Sequence, residues 1–383
     1  MTKAMETREH KATTQIVTYG ARALTVRSAS LALRGLHDLA RESNWMVKRI
    51  FAGRAAGLRI SPAGRVATIA PGPPHSGFRS AVYNVEEATT PIELRAGLEA
   101  DFPADAMEGE PRAVFVWSPS GTCLVAAWNA WGQELQYFDL RGKTSPIAFG
   151  PFTHFPTNLE WSRDGKSLAA AKAGGREAAV SLWPATEGEV PFSGYPSAQL
   201  GFPGWIERQT YEAEFGEDGA FLGYGRLAFS PDGRALACAA EFQGEWADDS
   251  IAIVDVPGMR EQMTHPAQGH ITDMAWTPDG QRIVYCAAGQ AYRLDVETIE
   301  AEALPFGAEW AACHPELPVC VCYSGWLKNS AKGRLFLADL RTMRVFDEHA
   351  AEGVADLRWN LEGTKAYAVT RDGFAYVYEP AFL

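Results

Sequence analysis

One thirteen-residue phrase recurs six times along the chain. It reads LRISPAGRVATIA from Leu58, FVWSPSGTCLVAA from Phe115, LEWSRDGKSLAAA from Leu159, LAFSPDGRALACA from Leu227, MAWTPDGQRIVYC from Met274 and LRWNLEGTKAYAV from Leu357. Four residues before each shared glycine stands a large apolar side chain: Ile60, Trp117, Trp161, Phe229, Trp276 or Trp359. Two residues further back is another apolar side chain, and a spacing of two puts both on one face of a strand. Next come Ser, Thr or Asn, usually Pro, often Asp or Ser, then Gly. Pro presets φ for a turn, Asp bonds the nearby backbone, and Gly accepts positive φ. The apolar, small-residue run that follows suits a strand buried on both faces. Each copy is therefore strand, tight turn, strand, and six copies in one frame are not a chance hairpin.

The spacing of the copies sets the architecture. The shared glycines are Gly64, Gly121, Gly165, Gly233, Gly280 and Gly363, with gaps of 57, 44, 68, 47 and 83 residues. The last gap is about twice a repeat of roughly 40–45 residues, so it hides a degenerate copy. WAACHPELPVCVCYS, from Trp310, fits that place and makes seven. A third strand ending in an apolar–Asp–apolar step follows several hairpins: YFDL at Tyr137–Leu140, IVDV at Ile253–Val256, RLDV at Arg293–Val296 and LADL at Leu337–Leu340.

With these residues the chain resembles the WD40 family and its relatives with the PD-G turn, including TolB-type propellers. The apolar–Asp–apolar step resembles the Trp-Asp dipeptide of WD40 repeats, and Gly269-His270 resembles that family's Gly-His pair. No blade ends in Trp-Asp itself. The resemblance spans roughly residues 46–383 and implies an all-β, seven-bladed β-propeller. The last copy supplies three strands: ADLRW, TKAYAVT and FAYVYEP. WMVKRIFAG, from Trp45, is the expected fourth, closing the ring and removing exposed edges. The expected organisation is an N-terminal tail and amphipathic helix over residues 1–44 and one propeller over 45–383. The closing strand lies at 45–53.

Composition agrees with one large repeat domain in which each blade buries a face against the next. The 46% apolar content and 12 Trp are ample for seven interfaces. A net charge of −12 argues against a general nucleic-acid or anionic-membrane surface. The six Cys show no disulfide-framework spacing, which favours a reducing compartment. No apolar run reaches transmembrane length. The N-terminus lacks the apolar core of a secretory signal, against a periplasmic TolB-like role. The expected location is cytoplasmic, with an organellar alternative because residues 10–37 carry Arg and Ser and no acid.

Two departures from the repeat are the candidate interaction elements. Residues 1–60 carry eleven Lys or Arg against four acids. Ser28 caps an expected helix through about Ser43. Its apolar stripe is Ala29, Leu33, Leu36 and Ala40, with Arg34, His37, Asp38 and Arg41 opposite. This basic arm either packs on the acidic propeller, docks to another subunit or directs targeting. The second departure is an aromatic-rich insertion at 184–224, in the 68-residue gap. Long loops in compact domains are usually functional or disordered, and disordered ones are poor in aromatics. Phe192, Tyr195, Phe202, Trp205 and Tyr211 are therefore candidate partner anchors. A further loop, Glu241–Asp249, sets Trp246 among acids and suits a basic partner.

Catalytic and cofactor signatures are missing. There is no HExxH, GxSxG elbow, P-loop or GxGxxG after a strand. Cys320 and Cys322 are two apart on a strand, without the turn that wraps a metal, so they are expected to be buried structural thiols. The turn acids Asp164, Asp232 and Asp279 are explained by turn bonding. The leading expectation is a non-catalytic scaffold or subunit with protein partners and no cofactor. Propeller lactonases hold a divalent ion in the central channel with ligands scattered over blades, so a channel-metal hydrolase is the competing class. A small-ligand or peptide sensor is the third.

Overall fold

The computed structural model describes residues 45–52, 54–55, 57–71, 78–87, 90–94, 113–128, 134–151, 156–172, 179–185, 196–200, 221–242, 249–325 and 333–380. Within them every regular element is a strand, and no helix is long and apolar enough to cross a membrane. The chain opens with β1 (Trp45–Arg49). Blade 1 is β2 (Gly57–Ile60), β3 (Arg65–Pro71), β4 (Phe78–Asn84) and β5 (Ile92–Glu93). Blade 2 is β6 (Ala113–Trp117), β7 (Cys123–Trp128), β8 (Glu134–Asp139) and β9 (Lys143–Pro151). Blade 3 is β10 (Pro156–Trp161), β11 (Ser167–Lys172), β12 (Ala179–Pro184) and β13 (Ala198–Leu200). Blade 4 is β14 (Phe221–Phe229), β15 (Ala235–Phe242), β16 (Ser250–Asp255) and β17 (Arg260–Pro266). Blade 5 is β18 (Ile271–Trp276), β19 (Arg282–Ala287), β20 (Gln290–Asp295) and β21 (Ala301–Ala303). Blade 6 is β22 (Trp310–Cys313), β23 (Val319–Ser324), β24 (Arg334–Asp339) and β25 (Arg344–Ala350). Blade 7 is β26 (Val354–Trp359), β27 (Ala366–Thr370) and β28 (Phe374–Tyr378), with β1 as its outer strand.

The result is a seven-bladed β-propeller of antiparallel four-stranded sheets. The first strand of each blade lines the axis, and neighbouring inner strands touch all round the ring. β1 pairs with β28 from Trp45↔Tyr378 to Arg49↔Phe374, so the two ends of the described chain share one sheet. Buried Trp45 packs on Tyr378 with ring centroids 5.0 Å apart.

The repeated phrase explains this regularity bond by bond. All six shared glycines have φ between 67° and 71°, where an L side chain is strained. In each turn the Ser, Thr or Asn side-chain oxygen accepts a backbone N–H from the start of the second strand. Cys123 N donates to Ser118 Oγ at 3.0 Å, Ala235 N to Ser230 Oγ at 2.9 Å and Lys365 N to Asn360 Oδ1 at 2.8 Å. Turn acids complete the knot: Ser162, Ser230 and Thr277 hydroxyls donate to Asp164, Asp232 and Asp279 at 2.6–2.7 Å. The apolar–Asp–apolar step closes a different turn. Asp339 accepts from Arg341 N at 2.9 Å and Thr342 Oγ1 at 2.8 Å, and Asp295 accepts from Glu297 N and Thr298 N at 3.1 Å.

The repeat tryptophans lace one blade to the previous one. Indole N–H groups of Trp117, Trp276 and Trp359 donate to the carbonyls of Arg59, Ala228 and Ala312 at 3.0, 2.8 and 3.0 Å. These three indoles fill an interface and satisfy their one polar atom there, whereas the buried Trp161 indole N–H finds no partner among the described residues. The buried apolar side chains fall into seven clusters, one for each pair of neighbouring blades.

The degenerate copy achieves the same turn with an imidazole. His314 occupies the Ser/Thr/Asn position. Its Nδ1 accepts from Glu316 N at 3.0 Å and Leu317 N at 2.9 Å, and its Nε2–H donates to Gly363 O at 3.0 Å. A Cβ on Gly363 would lie 2.3 Å from that ring, so glycine is needed there for approach as well as φ. His314 also packs edge-on to Trp359 at 4.7 Å. Burial drives its pKa down to about 4, below the ordinary 6.5.

Candidate functional site

Two positions of the inner strand face the axial channel: those five and seven residues before the shared glycine, which lie on one strand face. The position five before, the deep level, holds Arg59, Val116, Glu160, Ala228, Ala275, Ala312 and Arg358 in blade order. The position seven before, the mouth level, holds Gly57, Val114, Asn158, Arg226, Asp273, Trp310 and Asp356. Blade 6 is aligned here on His314. Four of the mouth-level residues owe their placement to bulges. The ladders of β10, β14, β18 and β26 each slip one residue just before or at Asn158, Arg226, Asp273 and Asp356. A bulge re-aims a side chain, and here it sets polar groups into the bore.

Toward the hairpin turns two contacts span the channel. Arg163 of blade 3 donates to Pro315 O of blade 6 at 2.9 Å. At the deep level Arg358 of blade 7 meets Glu160 of blade 3 at 3.4 Å. Neither pair comes from neighbouring blades, so both cross the bore. The Glu160 carboxylate holds Arg358 firmly protonated. Other channel charges are tied to an adjacent blade. Asp356, on blade 7, accepts from Ile60 N at 2.8 Å and Arg59 at 3.4 Å. Asp273 accepts from Ala311 N at 3.0 Å; burial raises its pKa, and Arg226 opposes that rise.

The opposite end is open and differently furnished. A cavity of about 770 Å³ is lined by Asn158, Gly225, Arg226, Glu241, His270, Thr272, Glu309 and Trp310, among others. It meets a second cavity of about 250 Å³ around the deep level, with Asn158, Arg226 and Trp310 common to both. The Arg226 guanidinium lies over the Trp310 ring, 5.0 Å from its centroid. Among the described residues no carboxylate or carbonyl hydrogen-bonds it, and Asp273, Asp356 and Glu241 attract it only through space. Burial lowers its pKa, and Arg59 adds to the effect. Asn158 is 6% exposed, and its amide likewise has no hydrogen-bond partner among the described residues. Glu241 lies against Gly225, where a Cβ would meet its carboxylate oxygen at 1.7 Å. Burial first, then Asp249, raises its pKa.

Of the candidates taken from sequence, Arg34, Arg41, Phe192, Tyr195, Phe202, Trp205, Tyr211 and Trp246 lie outside the described residues, as does the expected helix. The ends of the aromatic segment are blade strands: Ala198–Leu200 is the outer strand of blade 3, and β14 starts at Phe221. Tyr224 is fully buried core. Glu241 and Asp249, grouped by sequence with Trp246 as an exposed acidic loop, turn inward. Asp249 is 2% exposed, accepts from Ile271 N at 2.7 Å and pairs with His270 Nδ1 at 3.0 Å. The six cysteines form no disulfide. Cys286, Cys313, Cys320 and Cys322 meet in the core between blades 5 and 6, and burial pushes the Cys286, Cys320 and Cys322 thiols up, away from the reactive thiolate. Among the described residues no three His, Cys, Asp or Glu come together as a metal site.

No protein-family model matches the chain, and no curated protein matches it. Among solved structures it is similar to the β-propeller domain of Cps50 (Swd1) from Myceliophteria thermophila. That domain is 13% identical with a TM-score of 0.57, over 87% of this chain and 99% of that one. It is also similar to hydrazine synthase from Kuenenia stuttgartiensis, 15% identical with a TM-score of 0.59, over 87% of this chain and 98% of that one. At such identity the likeness is one of fold, and fold alone does not carry function.

Proposed function

With the seven-bladed propeller as premise, we propose that the protein is a non-catalytic scaffold or subunit that binds protein partners. The observation that carries this reading is the commitment of the channel carboxylates. Glu160, Asp273 and Asp356 are the acids a channel metal would recruit. Each is held by an arginine or a backbone N–H of another blade. Removing them from those bonds would leave buried charges unpaired, which is costly. Six thiols without a disulfide make a reducing compartment such as the cytoplasm the natural setting for this reading.

Partner contact is assigned to the aromatic segment between β13 and β14 and to the basic N-terminal arm. Tagged full-length protein and a variant lacking residues 201–220 are to be purified side by side from the native host. The reading expects a stoichiometric partner on the full chain, lost or weakened in the variant while its thermal transition persists. Equal capture by both would remove the segment from the docking role. Metal analysis of the same samples addresses the competing class: stoichiometric calcium or zinc would overturn the non-catalytic reading.

A further inference from the structure

The open end of the channel has the make-up of a receptor for a small molecule. Arg226 is brought into the bore by a bulge, set over the Trp310 ring and left without a hydrogen bond or ion pair among the described residues, Asp273, Asp356 and Glu241 acting on it only through space. Asn158, on the neighbouring blade, presents a buried amide to the same cavity, also without a partner. A half-buried guanidinium and a buried amide that make no hydrogen bond each cost stability, and such a cost persists when the groups are kept for something else. By contrast the deep-level arginines, Arg59 and Arg358, both face carboxylates.

The charges around the cavity select the ligand. A planar guanidinium with an adjacent amide donor matches a carboxylate through two or more parallel hydrogen bonds. The surrounding acids limit the negative charge that can enter. Asp273 shares the level of Arg226, and Glu241 and Glu309 line the same cavity, so a dianion such as phosphate meets repulsion. Glu241 offers an acceptor that makes no hydrogen bond among the described residues, His270 and Arg226 acting on it only through space, and an ammonium group or other donor would satisfy it. Trp310 and Ile271 supply apolar wall. A cavity of about 770 Å³ falls within the range of small-molecule sites, about 300–1,000 Å³.

We propose that this pocket binds a small zwitterion of the short-peptide class, with its terminal carboxylate on Arg226 and Asn158 and its terminal ammonium facing Glu241. The assignment stands apart from the partner-docking reading, since it uses none of the segments invoked there and is tested on purified protein alone.

The probes are di- and tripeptides of Ala, Leu and Phe with free termini, the same peptides amidated at the C-terminus or acetylated at the N-terminus, and inorganic phosphate. Titration calorimetry on the full chain reads them out. The expected result is saturable binding of at least one free peptide, with a Kd of about 1 mM or tighter. Amidation and Arg226→Met each weaken it by about tenfold or more, the scale of hydrogen bonds to a charged group. Acetylation and Glu241→Gln weaken the same peptide by a smaller, shared factor, and phosphate does not compete. Asn158→Ala is the second variant at the carboxylate end, and circular dichroism checks that each variant is folded. The proposal is overturned if no free peptide binds, if amidated or acetylated peptides bind as well as free ones, if folded Arg226→Met and Asn158→Ala bind like the parent, or if phosphate competes.

Discussion

The two ends of the channel use the same strand positions and opposite economies of charge. At the turn end, Arg358 reaches Glu160 across the bore, Arg163 reaches the Pro315 carbonyl, and His314 ties its own turn to that of blade 7. Every polar group named there has a partner from another blade, so it acts as a tie between blades. At the other end half-buried Arg226 and buried Asn158 make no hydrogen bond or ion pair among the described residues. Removing one member of a buried pair leaves an uncompensated charge. Removing a group that has no partner relieves a desolvation cost. The contrast therefore predicts opposite responses to similar substitutions.

The largest expected effect is at the turn end and depends on pH. Folding depresses the His314 pKa from 6.5 to about 4, so the folded state prefers the neutral ring. Stability is then complete above pH 6.5, falls as pH drops toward 4 and levels off below it. By linkage the loss is about 3 kcal/mol. Chemical denaturation across pH 4–7 measures it. His314→Asn, which supplies the carbonyl acceptor used by Asn360 in blade 7, is expected to flatten that slope.

Next in size is Arg358→Met, which strands Glu160 in the bore. Both side chains are partly exposed to the channel, 36% and 17%, so the expected loss is about 2 kcal/mol, below the range for fully buried pairs. Arg226→Met removes a guanidinium with a ring contact and a through-space attraction to Asp273, but no hydrogen bond or ion pair among the described residues. Its expected effect is within about 0.5 kcal/mol of zero or stabilising. Smallest is Glu241→Gln. The folded-state pKa of Glu241 is raised, so its charged form is disfavoured by folding at neutral pH, and the amide is expected to gain a few tenths of a kcal/mol. A thermal-shift series at pH 7 orders these last three.

The contrast also shows what the sequence made readable. The turn phrase encodes the hairpins because its Ser, Asp and Gly bond within five residues of one another, and its large apolar residue, Trp in four of the six copies, packs in an interface between blades. Blade count followed from that phrase and from the 83-residue gap before Gly363. Blade 6 was harder to recognise because His314 performs the serine's task with a ring nitrogen. The channel pocket leaves no local pattern because its lining comes from four blades, 3 to 6, with Asn158, Arg226 and Trp310 far apart in sequence. A usable signal was present: the column seven before each glycine reads Asn158, Arg226, Asp273 and Asp356 inside otherwise apolar strands. The pairing that separates Arg358 from Arg226 joins blades 3 and 7, and no local pattern specifies it.

The most direct test of this division is guanidinium unfolding of Arg358→Met and Arg226→Met beside the parent protein at pH 7. The account predicts a loss of about 2 kcal/mol for Arg358→Met and no loss, or a gain, for Arg226→Met. A loss in Arg226→Met equal to that in Arg358→Met would contradict it, because Arg226 would then be holding the ring together like the arginines at the turn end.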